Sequence, residues 1–231
     1  MVLCQPESGY CFNSDSVFLY DFIDSFNPKG DMLDIGAGSG IVGLLCAKNN
    51  DKIKLEAIEK QEEFLKYASK NAKDNNIEYK LYHGDFIEYE FEKKYDYIVS
   101  NPPFYHSKST KSDNDMLFNA RYNINLPLDK FFKKVSQVLK PKSHFIFCYD
   151  ALHFGEICAE LAKVKMKIVD VQFVHPKINR PASIVMVHAR NGSNSLMKVH
   201  EPFISFESDE FSQKAKEIYK KAGTQSIKCQ L

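Results

Sequence analysis

Between Leu33 and Gly40 the chain reads LDIGAGSG, a short apolar strand running straight into three glycines, and the apolar helix pattern IVGLLCAKN (41–49) follows at once. A strand that turns this tightly into a helix opens a βαβ unit, and the remaining sequence sustains that rhythm. KLEAI (54–58) reads as a second strand, 61–74 as a charged helix, EYKLYH (78–83) as a third strand and YDYIVS (95–100) as a fourth. A helix over 128–139, a strand HFIFCY (144–149), a helix over 151–163 and strands near 167–174 and 183–189 complete the pattern. Alternation of this kind predicts an α/β doubly wound sheet, mostly parallel, with helices on both faces. The last two strands are joined only by HPKINRPA (175–182), too short for a parallel crossover, so the last strand is expected to be antiparallel.

At 231 residues and 44% apolar composition, the chain suits one domain with a sizeable core. Residues 1–30 are expected to form a helical cap, 31–190 the core, and 191–231 an extension carrying a charged helix over 208–222. The longest apolar stretch, Ile41 to Ala47, is far shorter than the ~20 residues of a membrane span. The opening MVLCQPESGY has neither the basic nor the apolar region of a secretory signal. Six cysteines without CxxC or zinc-ligand spacing argue against a disulfide framework or a metal site and favour a reducing, cytoplasmic setting. The expected oligomeric state is a monomer. A net charge of +1 conceals a division: residues 1–103 hold 11 basic against 18 acidic side chains (−7), and residues 104–200 hold 15 against 7 (+8). Such asymmetry points to an anionic partner for the later part of the chain.

Gly36, Gly38 and Gly40 let the backbone turn and approach a ligand at the helix N-terminus. In a dinucleotide fingerprint the third glycine would stand where Ile41 does, and Asp34 immediately precedes the first glycine. That acid repels a pyrophosphate but suits the ammonium and sulfonium groups of S-adenosylmethionine. Glu59, after the second strand, stands where an acid accepts ribose hydroxyls, and Asp85, after the third, where one can accept from an adenine amine. Phe86 is placed to lie beside the adenine ring.

The fourth strand ends in SNPPF (100–104), beside the expected cofactor cleft. An exocyclic amine is a poor nucleophile because its lone pair is delocalised. The side-chain carbonyl of Asn101 and the backbone carbonyl of Pro102 can accept its two N–H hydrogens, localising the lone pair and aiming it. Two prolines stiffen that loop, and Phe104 offers a ring face to an extruded base.

Together DIGAGSG, the Glu59 and Asp85 positions and NPPF resemble the S-adenosylmethionine-dependent methyltransferases of the NPP[YF] type, with the class I, Rossmann-like fold. GYCFNSDSVFL (9–19), NARYN (119–123), LPLDKFFKKVSQVLKP (126–141) and VQFVHPKINRPASIVMVHARNG (171–192) further resemble the bacterial tRNA1(Val) adenine(37)-N6-methyltransferases, over about residues 9–206. The resemblance implies an enzyme that methylates N6 of an adenine in a tRNA anticodon loop. It implies cofactor contacts at Asp34, Gly36, Gly38, Glu59 and Asp85, and target-amine contacts at Asn101, Pro102 and Phe104. FNSDS (12–16) is similar to the segment that closes over the cofactor, which adds Asp15. Where the family usually shows ARHE this chain has ARYN (120–123), with Arg121 the one charged residue retained. Lys108, Lys111 and Arg121 in the polar segment 104–127, and Lys177 and Arg180 in the short link 175–182, are expected to meet RNA phosphates. The alternatives are a guanine-N2 rRNA methyltransferase, a protein glutamine-N5 methyltransferase, and a non-catalytic RNA-binding assembly factor that retains the fold.

Overall fold

The protein is described from a computed structural model, which describes residues 1–7, 11–102 and 127–231. Strand β1 (Val2–Pro6) precedes helix α1 (Ser14–Asp24), which Asn13 caps by accepting from the Asp15 amide. Next come β2 (Gly30–Ile35), α2 (Ile41–Lys48), β3 (Ile53–Glu59), α3 (Glu62–Asp74), β4 (Lys80–His83) and β5 (Tyr95–Ser100). After the undescribed segment, α4 (Leu128–Val138), β6 (Leu139–Asp150), a short 3-10 turn (Ala151–His153), α5 (Phe154–Lys163), β7 (Met166–His175) and β8 (Ile184–Asn191) follow. Short strands β9 (Lys198–Val199), β10 (Phe203–Ile204), β11 (Phe206–Glu207) and β12 (Glu210–Phe211) lead to α6 (Gln213–Ala222) and β13 (Gln225–Cys229).

The main sheet runs β10-β7-β8-β6-β5-β2-β3-β4, with β9 also on the outer edge of β7. β2, β3, β4, β5 and β6 pair in parallel, and β8 runs antiparallel to both β6 and β7. The antiparallel strand expected from the short 175–182 link is therefore present. The chain leaves β2 toward β3 and later leaves β5 toward β6, in the opposite direction. Right-handed crossovers then put α2 and α4 on opposite faces, and a crevice opens at the carboxyl ends of β2 and β5. Burial drives this arrangement: α4 turns Phe131, Phe132 and Val135 inward, where its rings meet Phe145 and Phe147 of β6.

The two chain ends depart from expectation. The segment before α1 is a strand, and β1 pairs in parallel with β13, with Cys4 opposite Ile227 and Pro6 opposite Cys229. A five-residue strand whose partner lies over two hundred residues away leaves no local signal. Cys4 and Cys229 form a disulfide, correcting the expectation of an unbonded cysteine set, while Cys11, Cys46, Cys148 and Cys158 are free. Sequence spacing could not reveal it, because the pairing of the two end strands brings the sulfurs together. The charged helix α6 docks on α1: Tyr219 meets Phe18 edge-on, and the Lys221 ammonium lies 2.7 Å from both Asp21 and Asp24. No helix among the described residues is long and apolar enough to cross a membrane.

Candidate active site

The glycine turn after β2 faces the end of β5 across this crevice. A cleft enclosing about 400 Å³, partly continuous with solvent, is lined by Phe12, Ser16, Asp34, Gly36, Gly38 and Asn101, with Ile41, Val42 and Phe64 on its apolar side. Gly36 and Gly38 take φ of +67° and +56°, left-handed conformations that disfavour side chains, and nothing lies within 4 Å of where a Cβ would stand. The turn thus presents bare backbone to open space. Gly43 serves a different end: a Cβ there would lie 2.9 Å from both Asp34 Oδ2 and Leu55 Cδ1. The close helix-to-strand packing that a dinucleotide fingerprint assigns to its third glycine falls here to Gly43.

Asp34 and Glu59 are buried and tied to the turn between them. Asp34 Oδ2 accepts from the Gly43 amide at 2.9 Å, while burial, reinforced by the nearby Glu59, pushes its carboxyl up to about 7. Glu59 accepts from the amides of Gly38 (2.9 Å) and Gln61 (2.8 Å), and burial raises its pKa against those bonds. Two buried carboxylates at adjacent strand ends, with no lysine or arginine paired to either among the described residues, are suited to a cationic or hydroxyl-rich ligand. Tyr79 carries a buried hydroxyl with no hydrogen-bond partner among the described residues; it lies near Gly40 and feels the charges of Asp34 and Glu59. An orphaned donor beside two acids is a further mark of a polar ligand site, and nothing in the sequence pattern singled out Tyr79.

The other candidates are placed as follows. Asp85 pairs with the exposed Lys60 at 3.0 Å and accepts from the Ile87 amide, which caps the turn after β4. Phe86 is buried with its ring against Phe91 and Phe131, so the ring is committed to the core. Asp15 is buried on the first turn of α1, accepting from Asn13 Nδ2 at 2.7 Å, and burial pushes it up to about 6. Asn101 follows β5, and its side chain bonds to Ser16 and Cys148, neither of which the sequence marked as a site residue. Pro102 is buried beside it. Phe104, Lys108, Lys111 and Arg121 lie outside the described residues. Strand register places the Lys177–Arg180 turn on the same edge of the sheet as Asn101, since Ser100 lies opposite Phe147, and Asp150, three residues on, lies opposite Ile184 at the base of the β7–β8 hairpin. That hairpin rises about 10 Å beyond the strand ends near Asn101, at ~3.3 Å per residue. Lys177 there pairs with the exposed Asp209 at 2.9 Å, and Arg180 is exposed.

Comparison with known proteins agrees with this geometry. Residues 12–125 match the family model described as the methyltransferase small domain. Over those residues this chain resembles that methyltransferase family. The chain is 33% identical over 146 residues to a protein of Christiangramia forsetii named tRNA1(Val) (adenine(37)-N6)-methyltransferase, covering 61% of this chain and 60% of that one. A Vibrio campbellii protein of the same name is 22% identical over 219 residues, covering 93% and 91% of the two chains. The first alignment thus spans less than two thirds of its relative, and the second nearly all of it. Among solved structures, a predicted O-methyltransferase from Agrobacterium tumefaciens superposes with a TM-score of 0.70 at 15% identity, over 92% of this chain and 99% of that one. This likeness establishes the class I methyltransferase fold.

The methyltransferase family that the chain resembles implies S-adenosylmethionine, and the residues present fit it: a glycine turn with open space above it, two buried acids and an orphaned hydroxyl. Glu59→Ala is expected to weaken S-adenosylmethionine binding by roughly 1.5–3 kcal/mol, the worth of a charge-assisted acceptor. Titration calorimetry reads this directly, and an unchanged affinity would remove Glu59 from the site.

Proposed function

We propose that this chain is an S-adenosylmethionine-dependent methyltransferase acting on the exocyclic N6 of an adenine in the anticodon loop of a tRNA, in the cytoplasm. The observation that carries the reading is Asn101-Pro102 at the end of β5, across the crevice from the glycine turn and its buried acids. The names of the relatives supply the substrate class, and the acidic cofactor half followed by a basic later half suits an RNA partner.

Bound S-adenosylmethionine would supply an electrophilic methyl group. Asp34 would hold the ligand's cationic end, and Glu59, now occupied by the Gly38 and Gln61 amides, would keep lone pairs for ribose hydroxyls. Asn101 Oδ1 and the Pro102 carbonyl would accept the two amine hydrogens, localising the nitrogen lone pair and fixing its direction. Ile41, Val42 and Phe64 keep water from the apolar side of the cleft. An unpaired loop base suits such a site, because extruding it costs less than opening a duplex.

The test is incubation of the purified chain and isotopically labelled S-adenosylmethionine with tRNA, rRNA or total cell protein in separate reactions, followed by mass spectrometry of the nucleosides or peptides. Labelled N6-methyladenosine is expected. Labelled N2-methylguanosine from rRNA, a labelled protein glutamine, or RNA binding without label would replace this reading with one of its rivals.

Electrostatics gives a second check. Arg180 is free to meet a phosphate, whereas Asp209 offsets part of the Lys177 charge. Neutralising both in Lys177→Gln/Arg180→Gln is expected to weaken tRNA binding and flatten its log–log salt dependence by roughly one unit, at about 0.7 per contact on single strands. Cofactor affinity should not change. An unaltered slope would put the RNA footprint elsewhere.

A further inference from the structure

Asn101 is gripped from two sides by residues remote in sequence. Its Nδ2 donates to Ser16 Oγ at 3.0 Å, and its Oδ1 accepts from the Cys148 thiol at 2.8 Å. Ser16 sits in the first turn of α1 and Cys148 near the carboxyl end of β6, so both elements converge on the one side-chain amide that follows β5. Both partners are buried: Ser16 is 3% exposed and Cys148 is fully enclosed. Burial holds the Cys148 thiol well above its usual range, which keeps the proton on sulfur and the group a donor.

An amide has two unlike ends, and these partners tell them apart. A protonated thiol donates to the oxygen, and the serine oxygen accepts from the NH2 group. Turning the amide over would set NH2 against S–H and leave two donors facing each other.

We propose that Ser16 and Cys148 are positioning residues for methyl transfer, holding the Asn101 amide so that one lone pair of Oδ1 stays directed at the target amine. The proposal rests on the functional reading above. A carbonyl oxygen has two lone pairs, and Cys148 uses one. Sulfur is also a weak donor, so it sets the direction of the amide while drawing little from the oxygen's capacity to accept from substrate. A hydroxyl at position 148 would bind Oδ1 more strongly and compete for it.

Cys148→Ala and Ser16→Ala are each expected to lower kcat on tRNA by on the order of 10-fold, in the range seen when groups that orient a functional side chain are removed. The KM for tRNA and the affinity for S-adenosylmethionine should stay within about twofold, and Cys148→Ser, which retains a donor, should fall between wild type and Cys148→Ala. In an Asn101→Ala background, Cys148→Ala should cost nothing further, because the group it positions is gone. Equal losses in both backgrounds, or a loss of cofactor affinity, would overturn the proposal in favour of a packing role. A readout without substrate completes the test: the infrared S–H stretch, assigned to Cys148 by its absence in Cys148→Ala, should move to higher frequency in Asn101→Ala. A band that does not move overturns the contact itself. A band that moves in a protein unable to methylate any tRNA nucleoside would instead overturn the functional reading, and the catalytic meaning of the contact with it.

Discussion

Asn101→Ala is expected to reduce kcat on tRNA by on the order of 100-fold or more while leaving S-adenosylmethionine affinity nearly unchanged. The loss falls on kcat because the bond from the target amine to Oδ1 strengthens as the nitrogen lone pair localises, so it belongs mainly to the transition state. Removing one such preorganised group costs about 2.7–4 kcal/mol in comparable sites. Cofactor affinity is spared because the groups that fit the cofactor, Asp34, Glu59 and the glycine turn, lie on β2 and β3, whereas Asn101 follows β5. Removing the amide also leaves the buried Cys148 thiol and Ser16 hydroxyl without this partner, so a modest drop in melting temperature is expected. Single-turnover methylation at saturating cofactor, alongside calorimetric binding, separates the effects. A variant that lost cofactor but kept turnover at saturation would reverse the roles assigned to the two sides of the crevice.

Gly43→Val is expected to damage cofactor binding and stability together. A Cβ at this position would meet Asp34 Oδ2 and Leu55 Cδ1 at 2.9 Å and Asp34 Cβ at 3.2 Å, and two of these contacts belong to the acid that closes the turn. The branched chain must push α2 from β2 and β3, stretching the bond from the Gly43 amide to Asp34 Oδ2. Overpacking of a tight interior costs about 1–3 kcal/mol, and an unpaired buried carboxylate adds to it. Thermal melting and cofactor titration are the two measurements. A stable variant with normal affinity would show that helix-to-strand approach does not set the geometry of the turn. Gly155, where a Cβ meets nothing within 4 Å, is the control: Gly155→Ala should leave both readings intact.

Much of this molecule was legible in local sequence. The glycine turn, the strand-end acids and the NPPF segment each mark a strand terminus, and a parallel sheet gathers its strand termini on one edge. Even the antiparallel β8 followed from the length of a single link, since eight residues cannot carry a chain back along a sheet. These features rest on the spacing of neighbouring residues, which a sequence displays. What tertiary structure alone decided was the partner of each group. Phe86 was positioned for an adenine ring, yet its side chain packs between Phe91 and Phe131, because a large ring at the end of β4 is more stable buried than exposed at a cleft. Asp85 spends its carboxylate on Lys60 and the Ile87 amide. The joining of β1 to β13 and the Cys4–Cys229 bond depend on contacts between the two ends of the chain, for which no local pattern exists. Cys148 is the plainest case. In sequence it is one apolar position in a buried strand; only the arrangement of β5, β6 and α1 brings its thiol to Asn101, because parallel neighbours share a face only where their register aligns.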